Sequence, residues 1–175
     1  MKTRLALIET VVERGYKRIA EIGVHRGCAT YAIMASTNCP VKEYWAIDPW
    51  KPFDENQVRG TKNAWHSYLQ GFLKLIKRFP EVKALRKASV EAAPLFPAGY
   101  FDLVYIDADH RCGYVYDDIE AWYPKVRSGG VLIGDDYGNK LFPGVEETVD
   151  GFFGEDVDII GAMCSNGGRL WKIEK

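Results

Sequence analysis

The 175-residue sequence has no long apolar run, no excess of charge of one sign and few cysteines, and each lack removes a class of protein. Its apolar stretches, such as 104–106 and 131–133, fall far short of the roughly 20 residues that span a bilayer. Met1 opens into an amphipathic segment without an apolar signal region or a small-residue cleavage site, so a cytoplasmic location with no membrane partner is expected. The 23 Lys plus Arg against 24 Asp plus Glu leave a formal charge of -1, which offers no general attraction to nucleic acid or anionic lipid. The four cysteines, Cys28, Cys39, Cys112 and Cys164, show no CxxC spacing. That disfavours zinc and a disulfide framework, and predicts reduced thiols packed as small hydrophobes. Repeats, low-complexity tracts and linkers are absent as well, so residues 1–175 read as one domain.

What is there is an alternation of short apolar strands and amphipathic helices. Leu5, Ile8, Val11 and Val12 recur at helical spacing and stop at Gly15; a strand over 18–22 follows, then a helix over 29–36 and a second strand over 44–47. This strand, glycine turn, helix, strand order is a βαβ unit, which implies a parallel sheet and a right-handed crossover. Residues 49–82 are too long for a simple connector. From Thr61 onward Trp65, Tyr68, Leu69, Phe72, Leu73 and Ile76 form one apolar stripe, predicting a long helix, while Trp50, Phe53 and His66 fit core packing less well. A weak strand over 82–85, a turn at 87–90, a strong strand over 101–106 and a helix over 114–123 come next. Gly129-Gly130 is expected to turn into a strand over 131–133. A helix over 144–153 and a strand pair over 156–161 and 169–173 complete an α/β domain.

In an open parallel sheet, ligands bind beyond the carboxyl ends of the strands. The polar residues predicted there are Glu21 with Gly23 and Gly27, Asp48, Ser89, Asp107 with Asp109 and His110, and Asp135 with Asp136. Some of them could be helix N-caps, a role that Asp and Ser favour. The run Glu21-Ile22-Gly23-Val24-His25-Arg26-Gly27 lacks the glycine two residues after Gly23 that the dinucleotide fingerprint requires. Three carboxylates brought together by adjacent strand ends would repel one another unless a cation neutralised them, and an all-oxygen set favours a hard ion such as Mg²⁺.

Glu21 to Gly27 resembles the ExGxxxG first motif of class I S-adenosylmethionine-dependent methyltransferases, with Asp48 about 20 residues further on at a strand end. The stretch from Phe101 to His110, then Tyr114, Asp118 and Trp122, then Gly129 to Tyr137, resembles the metal-dependent O-methyltransferases of the macrocin O-methyltransferase type, within the catechol O-methyltransferase-like superfamily. The resemblance covers Arg18 to Tyr137. It implies a Rossmann-like, seven-stranded, mostly parallel sheet with helices on both faces and a reversed terminal strand. It also implies S-adenosyl-L-methionine as cofactor, with Glu21, Gly23, Gly27 and Asp107 at its methionine end, His25 and Arg26 near its carboxylate, Asp48 on the ribose, and Ser89 and Val90 beside the adenine. Mg²⁺ would be held by Asp107, Asp135 and Asp136, with His110 as general base.

The expected activity is methyl transfer to a hydroxyl of a small molecule, a sugar or natural-product glycoside. Trp50, Trp65 and His66 are expected to wall or cover the substrate, with residues 49–82 as a lid or a second subunit of a homo-oligomer in that role. Two alternatives stand beside it: a metal-independent small-molecule N- or O-methyltransferase, and a non-catalytic methyltransferase-like partner subunit. Nucleic acid is disfavoured as acceptor, because the clustered aspartates would repel phosphates.

Overall fold

The structure is a computed structural model that describes residues 2–52, 62–163 and 167–175. Phe53 and Cys164, both named above, lie outside the described residues. In chain order the elements are α1 (Lys2–Arg14), β1 (Arg18–Ile22), α2 (Cys28–Met34), β2 (Glu43–Ile47), α3 (Lys62–Ile76), β3 (Val82–Leu85), α4 (Ser89–Ala92), β4 (Phe101–Ile106), α5 (Cys112–Trp122), β5 (Val126–Tyr137), α6 (Pro143–Phe153), β6 (Asp158–Ile160) and β7 (Arg169–Glu174). The seven strands run in the order β3-β2-β1-β4-β5-β7-β6. The first five pair in parallel, and β7 is antiparallel to both β5 and β6. This is the Rossmann-like sheet with a reversed terminal strand.

Alternation along each strand divides the core into two layers. Ile19, Leu103, Tyr105, Val131 and Ile133 pack with Leu7, Val11, Ile33, Leu69 and Phe72 of α1, α2 and α3. Ala20, Ile22, Val104, Ile106 and Leu132 pack with Val115, Ile119, Trp122, Val145 and Val149 of α5 and α6. The same period puts Glu21 on the first face, between Ile19 and the loop, so its carboxylate is buried under α2 rather than standing clear of the strand end.

Four sequence expectations change. The turn at 87–90 is a one-turn helix, α4, followed by a 3-10 turn over Ala93–Leu95. Gly129-Gly130 does not precede β5 but lies inside it. Gly129 adopts φ 70 and donates to the Lys175 carbonyl at 2.6 Å, while Gly130 comes so close to the Asp102 carbonyl that a Cβ would lie 2.6 Å from it. The described thiols do not all pack as small hydrophobes: Cys28 and Cys112 are exposed, whereas Cys39 is half-buried and packs against the core, and all three are unbridged. Trp50 goes the other way. It is 1% exposed, stacks on Phe72 at 5.3 Å and donates its Nε1–H to the His25 carbonyl at 2.9 Å, so it belongs to the core and not to a substrate wall.

Candidate active site

The loop after β1 crosses the carboxyl edge of the sheet under tight constraint. Gly23 has φ 88, and a Cβ there would lie 2.1 Å from the Asp107 carbonyl oxygen, because the ends of β1 and β4 nearly touch. Gly27 has φ 78 and a Cβ on it would meet the Phe72 ring at 2.5 Å. Both glycines are therefore required by neighbouring protein atoms, whatever ligand approaches them. Asp48 holds the same loop from the other side. One carboxylate oxygen accepts from the Val24 and His25 amides at 2.9 and 2.8 Å, and the other accepts from the Trp50 amide at 2.5 Å. An acid expected to wait for a ribose is thus already the anchor of two loops, including His25 at φ 52.

Against this loop lies a cavity of about 440 Å³. Its wall includes Arg4, Glu21, Gly23, His25, Arg26, Asp48, Trp65, Tyr68, Asp107 and His110. A second cavity of about 280 Å³ shares Gly23, Asp48 and Ala108 with it and extends to Pro49, Ser89, Val90 and Asp118. Both are on the scale of small-molecule sites. Trp65, Tyr68 and His25 meet as an aromatic trio with ring centroids 4.6 to 5.8 Å apart. Arg26 lies over the Tyr68 ring at 4.4 Å and donates to its hydroxyl at 2.9 Å. His66, one residue from Trp65, is exposed and outside both cavity walls.

Negative charge collects at the base of the first cavity. Glu21 is fully enclosed and accepts from Thr30 and from the Tyr44 hydroxyl, the latter at 2.7 Å. Burial nevertheless pushes its carboxyl up to about 7, with the charge of Asp48 acting in the same direction. Asp107, at the end of β4, is raised well above the usual carboxylate range by burial and then by the charges of Asp135 and Glu21. Asp135 is raised by burial and by Asp136, against the opposing pull of His110 and Arg4. The pairing of β5 with β7 shifts register between Gly134 and Tyr137, and Asp136 takes φ 64. This bulge takes Asp136 out of simple alternation, and neither it nor Asp135 lines the two cavities.

His110 closes the cluster. Its Nε2 lies 3.2 Å from an Asp136 carboxylate oxygen and 3.7 Å from one of Asp107, and its ring packs on Phe142 at 4.8 Å. The second Asp136 oxygen accepts from Asn139 at 2.7 Å. Among the described residues, no three His, Cys, Asp or Glu side chains gather closely enough to hold a metal ion. Burial and mutual repulsion oppose the ionisation of these carboxylates.

Of the predicted site residues, the cavities bring together Glu21, Gly23, His25, Asp48, Asp107 and His110 in the first and Ser89 and Val90 in the second. Gly27 supports the loop from behind. The helix-cap alternative does not hold for α2, α4, α5 or α6, none of which has a side-chain cap at its N-terminus. Asp109, one of the strand-end residues that could be helix caps, forms an ion pair with Arg111 at 2.5 Å. Asp102 is remote from the cluster: it sits at the opposite end of β4, binding the Lys17 and Arg18 amides and Arg127. Sequence reasoning missed Arg4 and placed Asp118 only within a motif. Both occupy inward helix positions among polar neighbours, which no local pattern marks.

A family model described as "Methyltransferase domain" matches residues 20–137. No curated protein matches the sequence. Among solved structures, the O-methyltransferase NovP is 21% identical, with 99% of this chain and 78% of that chain covered and a TM-score of 0.67. The O-methyltransferase from Bacillus cereus in complex with SAH is 18% identical over 99% of this chain and 80% of that one, with a TM-score of 0.66. SAH-bound PaMTH1, a methyltransferase of Podospora anserina, is 16% identical over 97% and 76%, with a TM-score of 0.69. At these identities the likeness is one of fold. No helix among the described residues is long and apolar enough to cross a membrane.

Proposed function

Because the chain belongs to the methyltransferase-domain family, we propose that it is a class I S-adenosylmethionine-dependent methyltransferase of the catechol O-methyltransferase-like type and that it methylates a hydroxyl oxygen of a small molecule such as a sugar or natural-product glycoside. The observation that carries this reading is His110, a titratable base at the cavity wall with Asp107 and Asp136 on one edge of its ring. S-adenosylmethionine, when bound, supplies an electrophilic methyl group. Glu21, Gly23, His25 and Asp107 would border its methionine end, Gly27 would back the loop, Asp48 would take the ribose while holding that loop, and Ser89 and Val90 would flank the base.

With an Asp136 carboxylate oxygen 3.2 Å from Nε2, the imidazole proton would sit on that nitrogen, which leaves Nδ1 as the acceptor for the hydroxyl proton. The imidazolium so formed would be stabilised by Asp136, so the same carboxylate orients the base and offsets its charge. Trp65 and Tyr68 give the cavity a wall on which a flat or sugar ring can lie, and helix α3 would cover the acceptor.

Mg²⁺ would be held by Asp107, Asp135 and Asp136, and would supply Lewis acidity toward the hydroxyl. The metal-independent reading is favoured by one observation, that His110 already stands between Asp107 and Asp136. Calorimetry with S-adenosylhomocysteine tests the family chemistry, and micromolar binding is expected. Methyl transfer to a panel of hydroxylated acceptors, with and without chelator, then separates the two. Loss of activity in chelator, restored by Mg²⁺, supports the metal; unchanged activity removes it. Absence of binding at millimolar concentration would refute the function.

A further inference from the structure

The first cavity holds a guanidinium that the chemistry above leaves without a task. Helix α1 crosses the sheet from edge to edge. Arg14, in its last turn, pairs with Glu174 at the end of β7, and Arg4, in its first turn, lines the cavity at the carboxyl edge. Arg4, Leu7, Ile8 and Val11 follow the helical repeat, so the packing of Leu7 and Val11 in the core holds Arg4 inward and half-buried. Its charge reaches Glu21 of β1 and Asp135 of β5: burial raises both carboxyls, and Arg4 pulls each back down. Since β4 lies between those two strands, the guanidinium stands over the end of β4, where Asp107 and His110 follow.

The acids around Arg4 already have donors of their own. In the cavity wall Glu21 accepts from Thr30 and Tyr44, Asp48 from three backbone amides, and Asp107 from the Tyr105 hydroxyl at 3.2 Å. Asp135, outside the wall, accepts from the Asp136 amide at 2.8 Å. Arg26, the other guanidinium of the wall, is spent on Tyr68, and the His25 ring lies against Tyr68 and Trp65. Arg4 makes neither a hydrogen bond nor an ion pair among the described residues. A half-buried fork of donors facing a cavity calls for an acceptor brought by the ligand. One guanidinium offsets one negative charge and matches the two oxygens of a carboxylate, whereas the surrounding acids would oppose the second charge of a phosphate.

We propose that the acceptor is a hydroxy acid, its carboxylate held by the Arg4 guanidinium while its hydroxyl lies against His110. The assignment rests on the methyltransferase reading above and adds to it the group that selects the substrate. Arg4 comes from α1, apart from the loop after β1 that would border the methionine end of the cofactor, and it shares the cavity wall with His110.

The test is turnover by the full chain, with Mg²⁺ present, of meta-hydroxybenzoate and of glucuronate, each against its primary amide, with S-adenosylhomocysteine affinity measured by calorimetry on the same preparation. In at least one pair the wild type is expected to favour the acid in kcat/KM by about ten- to a hundredfold, the scale of a hydrogen bond between charged groups. Arg4→Met is expected to erase that preference by raising KM for the acid, without loss of S-adenosylhomocysteine affinity. Arg4→Lys, which keeps the charge and loses the fork, is expected to retain part of it. The wild-type ratio needs no variant, so the question stays answerable if Arg4→Met fails to fold. Amides turned over as well as acids, or no turnover of either acid by a wild type that binds S-adenosylhomocysteine, would overturn the assignment while leaving the methyltransferase reading intact. So would a preference that survives Arg4→Met, an equal loss for acid and amide in that variant, or weakened S-adenosylhomocysteine binding, which would give Arg4 to the carboxylate of the cofactor. A wild type that binds no S-adenosylhomocysteine at millimolar concentration would overturn both readings together.

Discussion

Glu21→Gln is expected to make the protein more stable at neutral and alkaline pH, by an amount that the structure sets. Glu21 is 1% exposed and its carboxyl is raised from 4.5 to about 7. Between those values the folded chain keeps a proton that the unfolded chain releases. Stability contributed by this group is therefore fully present below about 4.5 and is lost as pH rises to about 7. A shift of this size corresponds to about 3 kcal/mol, at roughly 1.4 kcal/mol per pH unit. Gln keeps a carbonyl oxygen for the Thr30 and Tyr44 hydroxyls and never ionises, so it escapes the loss. Asp107, Asp118 and Asp135 are raised in the same direction, so the wild-type pH curve alone does not isolate Glu21. The difference between variant and wild type does. Urea unfolding followed by tryptophan fluorescence from pH 4 to 8.5 should show that difference grow by about 3 kcal/mol up to pH 7 and then level off. A difference independent of pH, or a variant less stable than wild type at pH 8, would refute the reasoning.

Other substitutions probe the loop and the base. Gly23→Ala places a Cβ 2.1 Å from the Asp107 carbonyl at a φ of 88. It should cost at least about 3 kcal/mol and be visible as a large fall in melting temperature or insoluble expression. Trp50→Phe keeps a ring on Phe72 but removes the hydrogen bond to His25; it should lower unfolding free energy by about 1 kcal/mol. His110→Ala should reduce kcat by about 10²–10⁴ while S-adenosylhomocysteine still binds, measured by turnover and calorimetry on the same preparation. Unchanged turnover would remove His110 from the role of base.

The strand and helix order, the parallel βαβ start, and the placing of Glu21, Asp48, Asp107, His110, Asp135 and Asp136 at strand ends were legible along the chain, while the reversed strand came from the resemblance to a known family. Apolar periodicity and position at a strand end are local properties, and both survive folding. What each residue does there was not legible, because that depends on neighbours distant in sequence. Asp48 turned from a waiting ligand into the anchor of two loops, since the amides of Val24, His25 and Trp50 converge on it. Trp50 left the substrate wall for the core because Phe72, on α3, lies beneath it.

The sequence by itself determined that these acids stand at the strand ends, because β-strand alternation and the parallel βαβ order admit few arrangements of them. The tertiary structure alone decided how strongly they interact. Burial sets the ionisation of Glu21 and Asp118, and the register shift in β5 turns Asp136 toward His110. Arg4 of α1 enters the acidic cavity from outside every motif. Desolvation and Coulomb energy depend on separations in space, and the chain sets those only when it folds.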